Sequence, residues 1–190
     1  MKPEFIIVHH TGGGLIGDTS KIFNSVRQSH INRGWGDIGY HWFIERNGDI
    51  VQGRAENRAG AHCKDGGMNF KSIGICLAGN FERQNPTEAQ LRSLEIKMHD
   101  IMNRYNIPPE NVLPHREPAK VGTRTVCPGA NLTDNTIKKM AYNKTRPLKN
   151  WEENAVKWAM EKGVSTGVRP LDNITRVEAM EMIRKYDANK

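Results

Sequence analysis

The chain has 190 residues, with 28 Lys and Arg against 21 Asp and Glu, so its formal net charge is +7 at pH 7. Its mean hydropathy is −0.67, and no stretch approaches the ~18 consecutive apolar residues of a membrane helix, which excludes membrane insertion. The basic residues are scattered and form no nucleic-acid-binding module, so the charge predicts a generally basic surface and no nucleic-acid partner. An anionic polysaccharide is the remaining alternative.

The length suits one ordinary domain with a small appendage. Three cysteines, an odd number, fit a reducing compartment better than a disulfide framework. The chain starts without a charged segment followed by a long apolar run, so we predict no secretory signal. We therefore expect the protein to be made and first kept in a cytoplasm.

Strand and helix patterns alternate through the first 142 residues. Short apolar runs rich in β-branched residues predict buried strands, and capped stretches with apolar residues at helical spacing predict helices. Asn47-Gly48-Asp49 is typical of a hairpin turn, because Asn and Gly accept the positive φ that such a turn requires. In chain order the pattern predicts strands over residues 4–10, 40–45, 50–54, 72–78 and 112–114, and helices over residues 19–32, 87–105 and 133–142.

Alternating strands and helices with one antiparallel hairpin predict an α/β domain over residues 1–142, with a mixed central β-sheet flanked by helices. Residues 143–150 are polar, basic and interrupted by proline, which predicts a linker. Residues 151–190 predict a separate small helical hairpin, with an apolar stripe in its first helix and a capping box at Thr175 to Glu178. Because so short a segment buries little core alone, we expect it to dock on the main domain or pair with another copy.

Three residues with metal-ligating side chains are widely separated in the sequence. His9 ends the first predicted strand, His115 follows the fifth, and Cys127 lies in a Cys-Pro-Gly turn. Imidazole and thiolate ligands suit zinc, and three protein ligands without a fourth are typical of a catalytic site completed by water. Spacing alone leaves a structural interpretation open, with His9 a hydrogen-bonded buried histidine and Cys127 a small core residue.

Several motifs occur in one order over roughly residues 3–140: Ile7-Val8-His9-His10-Thr11, Trp35-Gly36-Asp37-Ile38-Gly39-Tyr40-His41, Asn69 with Ser72-Ile73-Gly74-Ile75, His115-Arg116-Glu117 and Cys127-Pro128-Gly129. Together they resemble the type 2 N-acetylmuramoyl-L-alanine amidases, the family shared by phage lysozyme-like amidases and peptidoglycan recognition proteins. The resemblance implies the fold of that family and one zinc ion per chain, held by His9, His115 and Cys127. His10 would point to the opposite face of its strand.

The resemblance also implies a reaction, hydrolysis of the amide that joins N-acetylmuramic acid to L-alanine in bacterial peptidoglycan. Zinc would lower the pKa of bound water to about 7. Tyr40 matches the family's catalytic tyrosine; its ordinary pKa of about 10 makes it a poor base, so we expect it to orient the water or stabilise the tetrahedral intermediate. Thr125 occupies a position held by Lys or Thr in relatives and would donate a hydrogen bond to the oxyanion.

Two further residues lie in the polar loop before the fourth predicted strand. In the resembled family this loop lines the substrate groove, so His62 and Asn69 are predicted to contact glycan or stem peptide. A rival interpretation makes His62 and Cys63 metal ligands. Cys76 alternates with apolar strand residues and is predicted to serve packing.

The tail resembles most of one S-layer homology repeat. Such repeats bind anionic secondary cell-wall polymers, usually in sets of three, so the resemblance implies wall-polymer binding with homo-oligomerisation supplying the missing copies. Arg176 is the predicted anion contact. The alternative is a helical hairpin that only packs on the catalytic domain. The residues that carry the resemblance are Trp158-Ala159, Gly163-Val164, Gly167, Pro170 and Ile174-Thr175-Arg176-Val177-Glu178.

The leading functional hypothesis is a phage or prophage endolysin that causes host lysis, made in the host cytoplasm and acting on the cell wall after release. One alternative is a peptidoglycan-binding receptor without catalysis, since some relatives are receptors that typically lack the cysteine ligand. The other is a cytoplasmic amidase that recycles soluble muropeptides, which needs no wall-binding tail.

Overall fold

The computed structural model describes residues 1–13, 22–122 and 124–143 of the chain. The predicted linker from residue 144 onwards and the whole predicted tail, Arg176 included, lie outside these ranges. The described residues fall within one compact unit, Met1–Lys144. None of their helices has the length and apolar character needed to cross a membrane.

A five-stranded mixed sheet forms the centre of this unit, in the order β3-β2-β4-β1-β5. Strand β1 runs parallel to both β4 and β5, β2 runs parallel to β4, and only the β2–β3 hairpin is antiparallel. The predicted mixed sheet flanked by helices is therefore confirmed. The strands are β1 Phe5–His10, β2 Trp42–Ile44, β3 Ile50–Gln52, β4 Ser72–Leu77 and β5 Val112–Pro114.

Within the described residues, three α-helices accompany the sheet: α1 Ile22–Asn32, α2 Glu88–Tyr105 and α3 Asp134–Tyr142. A capping box begins α2, because Thr87 Oγ1 accepts from Gln90 N at 3.0 Å and Gln90 Oε1 accepts from Thr87 N at 3.1 Å. The helix ends at Asn106, whose φ of 55° is left-handed. Short 3₁₀ turns lie at Asp65–Phe70, Pro109–Asn111 and Pro118–Val121.

The pleat of the central strands places the larger core on one face of the sheet and two smaller clusters on the other. Alternate residues of β1 and β4 join the apolar face of α2 and α3 in the larger core, which includes Ile6, Val8, Ile75 and Leu94. The intervening residues face the other way, so Cys76 packs in a smaller core with residues of α1 and β2. This second face of the sheet also carries His9.

Candidate active site

The three predicted metal ligands converge at one edge of the sheet. Strands β1 and β5 run parallel and in register, with Val8 beside Pro114, so His9 and His115 emerge next to each other. His115 N donates to Val8 O at 3.0 Å, and the His9 and His115 rings lie 4.3 Å apart between centroids. With Cys127 they form a group whose ligand atoms all lie within 4.8 Å of one another.

The donor set fits zinc. His9 Nδ1 lies 3.8 Å from Cys127 Sγ, and zinc bonds of about 2.0 Å to nitrogen and 2.3 Å to sulfur at a tetrahedral angle place these two atoms about 3.6 Å apart. Burial, followed by the neighbouring His115, lowers the pKa of His9 well below its ordinary value, which keeps the imidazole neutral as a ligand must be. Burial raises the pKa of the Cys127 thiol to about 12, so a bound cation must displace that proton.

A second group of possible ligands adjoins the first and shares His115 with it. Cys63, Asp65 and His115 also place their ligand atoms within 4.8 Å of one another. Cys63 is buried, and burial raises the pKa of its thiol to about 11. His62 belongs to neither group among the described residues.

Tyr40 stands beside the ligands, with its ring centroid 5.2 Å from that of His9. Burial, together with the thiols of Cys76 and Cys127, raises the pKa of Tyr40 well above its ordinary value. The ring also lies 5.5 Å from His30, whose Nδ1 accepts from Gly39 N at 3.0 Å. The strand-bordering segment that carries Tyr40 is therefore fixed, and its phenol stays protonated at neutral pH.

The loop that carries Cys127 is held mainly by Arg116, a residue that the sequence analysis gave no role. Its guanidinium donates to the carbonyl oxygens of Val126, Gly129 and Leu132 at 3.0–3.1 Å, and to a carboxylate oxygen of Asp134 at 2.7 Å. The only sequence signal for this role is its place directly after His115. A guanidinium serves here because it offers several donors in a fixed plane.

Further hydrogen bonds surround Cys127. Thr125 Oγ1 accepts from Cys127 N at 3.1 Å, which places the predicted oxyanion donor beside the ligand. His10 N donates to Cys127 Sγ at 3.4 Å. The His10 ring lies away from the ligand group, where its Nδ1 accepts from Phe81 N at 3.0 Å.

The structure places the two predicted substrate contacts close to the ligands. His62 Nδ1 lies 3.0 Å from His9 Nε2, and burial, followed by His41 and His115, lowers the pKa of His62 well below its ordinary value. Asn69 Oδ1 accepts from the backbone nitrogens of His62 and Cys63 at 2.8 and 2.9 Å. Sequence reasoning missed the contact between His9 and His62, which lie 53 positions apart.

Several proteins of known kind are similar to this chain in sequence. Peptidoglycan-recognition protein SC2 of Drosophila melanogaster is 31% identical over 154 residues, which cover 78% of this chain and 76% of that protein. The endolysin of Escherichia phage T7 is 39% identical over 85 residues, which cover 42% of this chain and 55% of that protein.

Solved structures and a family model give the same answer. The N-acetylmuramoyl-L-alanine amidase LysC from Clostridium intestinale URNW superposes with a TM-score of 0.62 at 34% identity, covering 73% of this chain and 84% of that chain. A family model described as N-acetylmuramoyl-L-alanine amidase matches residues 1–130, well over half of the chain. The chain therefore belongs to the N-acetylmuramoyl-L-alanine amidase family of peptidoglycan amidases.

Proposed function

We propose that this protein hydrolyses the amide bond between N-acetylmuramic acid and L-alanine in bacterial peptidoglycan, with one zinc ion held by His9, His115 and Cys127. The observation that carries the proposal is the convergence of these three ligand atoms within 4.8 Å of one another. The matched family and the amidase neighbour support the reaction. Two neutral imidazoles and one thiol are a donor set that supports zinc as the metal.

Tyr40 and Thr125, which lie beside the proposed ligands, have separate roles in the proposed hydrolysis. When bound, zinc supplies a Lewis acid that polarises a carbonyl and lowers the pKa of water. Tyr40 keeps the proton on its phenol oxygen, because its pKa is raised, so it orients the attacking water or stabilises the tetrahedral intermediate and does not act as a base. Thr125 Oγ1 accepts from Cys127 N, which leaves the hydroxyl proton free to be donated to the developing oxyanion.

We further propose that the biological role is that of a phage or prophage endolysin, made in the host cytoplasm and acting on the cell wall after release. The 39% identity to a phage endolysin supports this role. On this proposal, residues 151–190 bind an anionic wall polymer through contacts that include Arg176, with oligomerisation completing the binding surface.

The reaction is tested by digesting purified peptidoglycan and measuring new L-alanine amino groups alongside new reducing sugar ends, with and without a chelator. We expect chelator-sensitive release of amines and no reducing ends. Reducing ends would identify a glycosidase and refute the assigned site. Wall binding without either product would identify a receptor, the alternative that the 31% identity to a peptidoglycan-recognition protein keeps relevant.

The role of the tail is tested by removing residues 151–190 and comparing two substrates. We expect the shortened protein to lose activity on whole cell walls and to keep it on soluble muropeptides. Arg176→Ala in the full chain should likewise reduce binding to cell walls. Arg146→Ala in the predicted linker is the matched control and should leave wall binding unchanged. Unchanged activity of the shortened protein on whole walls would favour the muropeptide-recycling amidase.

A further inference from the structure

His9 has both of its ring nitrogens engaged. Its Nδ1 faces Cys127 Sγ at 3.8 Å, and its Nε2 lies 3.0 Å from His62 Nδ1. A neutral imidazole carries one proton, on one nitrogen only, and can bind a metal only through the other. The identity of the metal-facing atom therefore depends on which nitrogen of His9 carries the proton, and His62 is the residue that contacts the second nitrogen.

The His62 ring is fixed in this position by its surroundings. A Cβ added at Gly60 would come within 2.4 Å of His62 Cδ2, and one added at Gly74 within 2.6 Å of the same atom, so only glycines leave room for the ring. Asn69 Oδ1 holds the backbone at His62 and Cys63 through two hydrogen bonds. The loop is thus built to hold an imidazole directly behind His9.

The position of His62 also differs from that of a substrate contact. Its Nδ1 is directed at His9, and its Nε2 is buried, with no hydrogen-bond partner in the part of the chain that the structure describes. A side chain that hydrogen-bonds to glycan or peptide needs an accessible polar atom. Neither nitrogen of His62 meets this requirement.

We infer that His62 is a positioning residue that accepts the Nε2–H of His9 and so fixes His9 Nδ1 as the metal-binding atom. The inference rests on the proposed zinc amidase function and changes the role predicted for His62 from substrate contact to support of a ligand. Hydrogen bonds of this kind to the second nitrogen of a ligating histidine set its tautomer and ring orientation, and their loss weakens metal binding by about 10-fold to 100-fold.

The test compares zinc dissociation constants, measured by competition with a chromophoric chelator, for the wild-type protein and three variants. His62→Leu removes the acceptor, and we expect its zinc affinity to fall by about 10-fold to 100-fold. His62→Asn keeps an acceptor oxygen near the position of Nδ1 and should recover most of that loss. His99→Leu is the control, because His99 lies on α2 and its Nε2 bonds to Met140 O at 2.9 Å; its zinc affinity should equal that of the wild type.

A second measurement does not depend on how well the variants fold. Long-range ¹H–¹⁵N correlation spectra of the zinc-loaded wild-type protein should show the His9 proton on Nε2 and the metal on Nδ1. The opposite assignment would overturn the inference. An unchanged zinc affinity in His62→Leu would also overturn the inference. If His62→Leu raised the KM for peptidoglycan as well, with its zinc affinity unchanged, His62 would be a substrate contact. A wild-type protein that binds no zinc would instead refute the proposed function.

Discussion

Two buried polar clusters in this domain follow opposite electrostatic rules. The first, here called the ligand cluster, consists of His9, His62, His115 and Cys127, whose neutral side chains lie close together. Burial lowers the pKa of each of these histidines and raises that of the thiol. All four groups are therefore uncharged at neutral pH, in an arrangement that leaves room for a cation.

The second cluster, here called the ion cluster, lies where α2 meets β2 and the loop after β3. Glu56 accepts from Arg104, Tyr105 and Trp42 at 2.5–2.8 Å. Asp100 pairs with Arg104 at 2.9 Å and with the buried Lys97 at 3.3 Å. The Lys97 ammonium also lies 4.0 Å from the centre of the Trp42 ring.

The two clusters differ in whether their buried polar groups carry charge. In the ion cluster every charge meets an opposite charge, which is the arrangement that a buried ion needs in order to be tolerated. In the ligand cluster, neutral nitrogen and sulfur atoms converge, and its four described side chains form no ion pair with one another that would stabilise the fold. We therefore expect the ion cluster to serve stability and the ligand cluster to serve the proposed function, and single substitutions test this expectation.

The largest effect is expected from Cys127→Ser. Loss of the thiolate removes zinc, and with it several kcal/mol of transition-state stabilisation, so we expect amide hydrolysis to fall by roughly 10³-fold or more. Peptidoglycan binding and the urea midpoint of the zinc-free protein should change little. Amine release from purified peptidoglycan measures the first, and a pull-down with insoluble walls measures the second. Retained hydrolysis would remove Cys127 from the ligand set.

The corresponding substitution in the ion cluster is Glu56→Ala. Removing one partner leaves Arg104 short of an acceptor, and we expect the free energy of unfolding to fall by about 3 kcal/mol. The turnover rate of the folded protein should stay at the wild-type value, because Glu56 contacts none of the ligands. Urea unfolding and amide hydrolysis measured on the same preparation separate the two effects. The exposed Glu88→Ala, which removes a pair with Arg92 at 3.4 Å, is the matched control with little expected change.

Thr125→Val tests whether the hydroxyl beside Cys127 takes part in the reaction. The substitution keeps the shape of the side chain and removes a donor, so we expect a fall in kcat of about 10²-fold if the hydroxyl stabilises the oxyanion. Thr125→Ser keeps the hydroxyl and should remain close to the wild type. Zinc affinity must be measured alongside, since Thr125 Oγ1 also accepts from Cys127 N. If Thr125→Val lowered the zinc affinity but left the kcat of the zinc-loaded protein unchanged, Thr125 would support the Cys127 loop and would not contact the oxyanion.

Much of the fold could be predicted from the sequence because its signals are local. The apolar run that forms β1, the Asn47-Gly48-Asp49 turn and the capping box at Thr87 each depend on residues close in the chain. The predicted strands are longer than those observed at β2 and β3, although Arg54 N donates to Tyr40 O at 2.9 Å and His41 N donates to Gly74 O of β4 at 3.0 Å just beyond the strand ends. Propensity alone does not locate where strand pairing stops.

The candidate site was predictable only in part. The three candidate ligands come from motifs and converge in the structure, yet the contacts that support them join residues far apart in the sequence. His62 meets His9 across 53 positions, and Arg116 gathers carbonyl groups from 10 to 16 positions away. Such contacts depend on the sheet order and on the path of loops, for which neither periodicity nor composition carries a signal. The ion cluster was missed for the same reason.

The last prediction concerns how the free energy of unfolding depends on pH, which differs between the two clusters. Burial is the largest cause of a lowered pKa in six histidines, namely His9, His10, His30, His41, His62 and His115. Below about pH 6.5 the unfolded chain therefore binds more protons than the folded protein, and stability falls as the pH decreases.

The ion cluster behaves differently. Burial raises the pKa of Glu56 and Asp100, but the hydrogen bonds and charges of their partners together outweigh burial and lower both pKa values; the partners are Arg104, Tyr105 and Trp42 for Glu56, and Arg104 and Lys97 for Asp100. Their contribution is complete above about pH 4.3 and is lost only below it. Urea unfolding of the chelated protein should show stability decreasing by about 1 kcal/mol or more from pH 7 to 5, a decrease that saturating zinc reduces by holding His9 and His115 unprotonated. Stability that stays constant down to pH 5 would mean that the ligand cluster is not an unpaired, neutral site, and the contrast between the two clusters would fail.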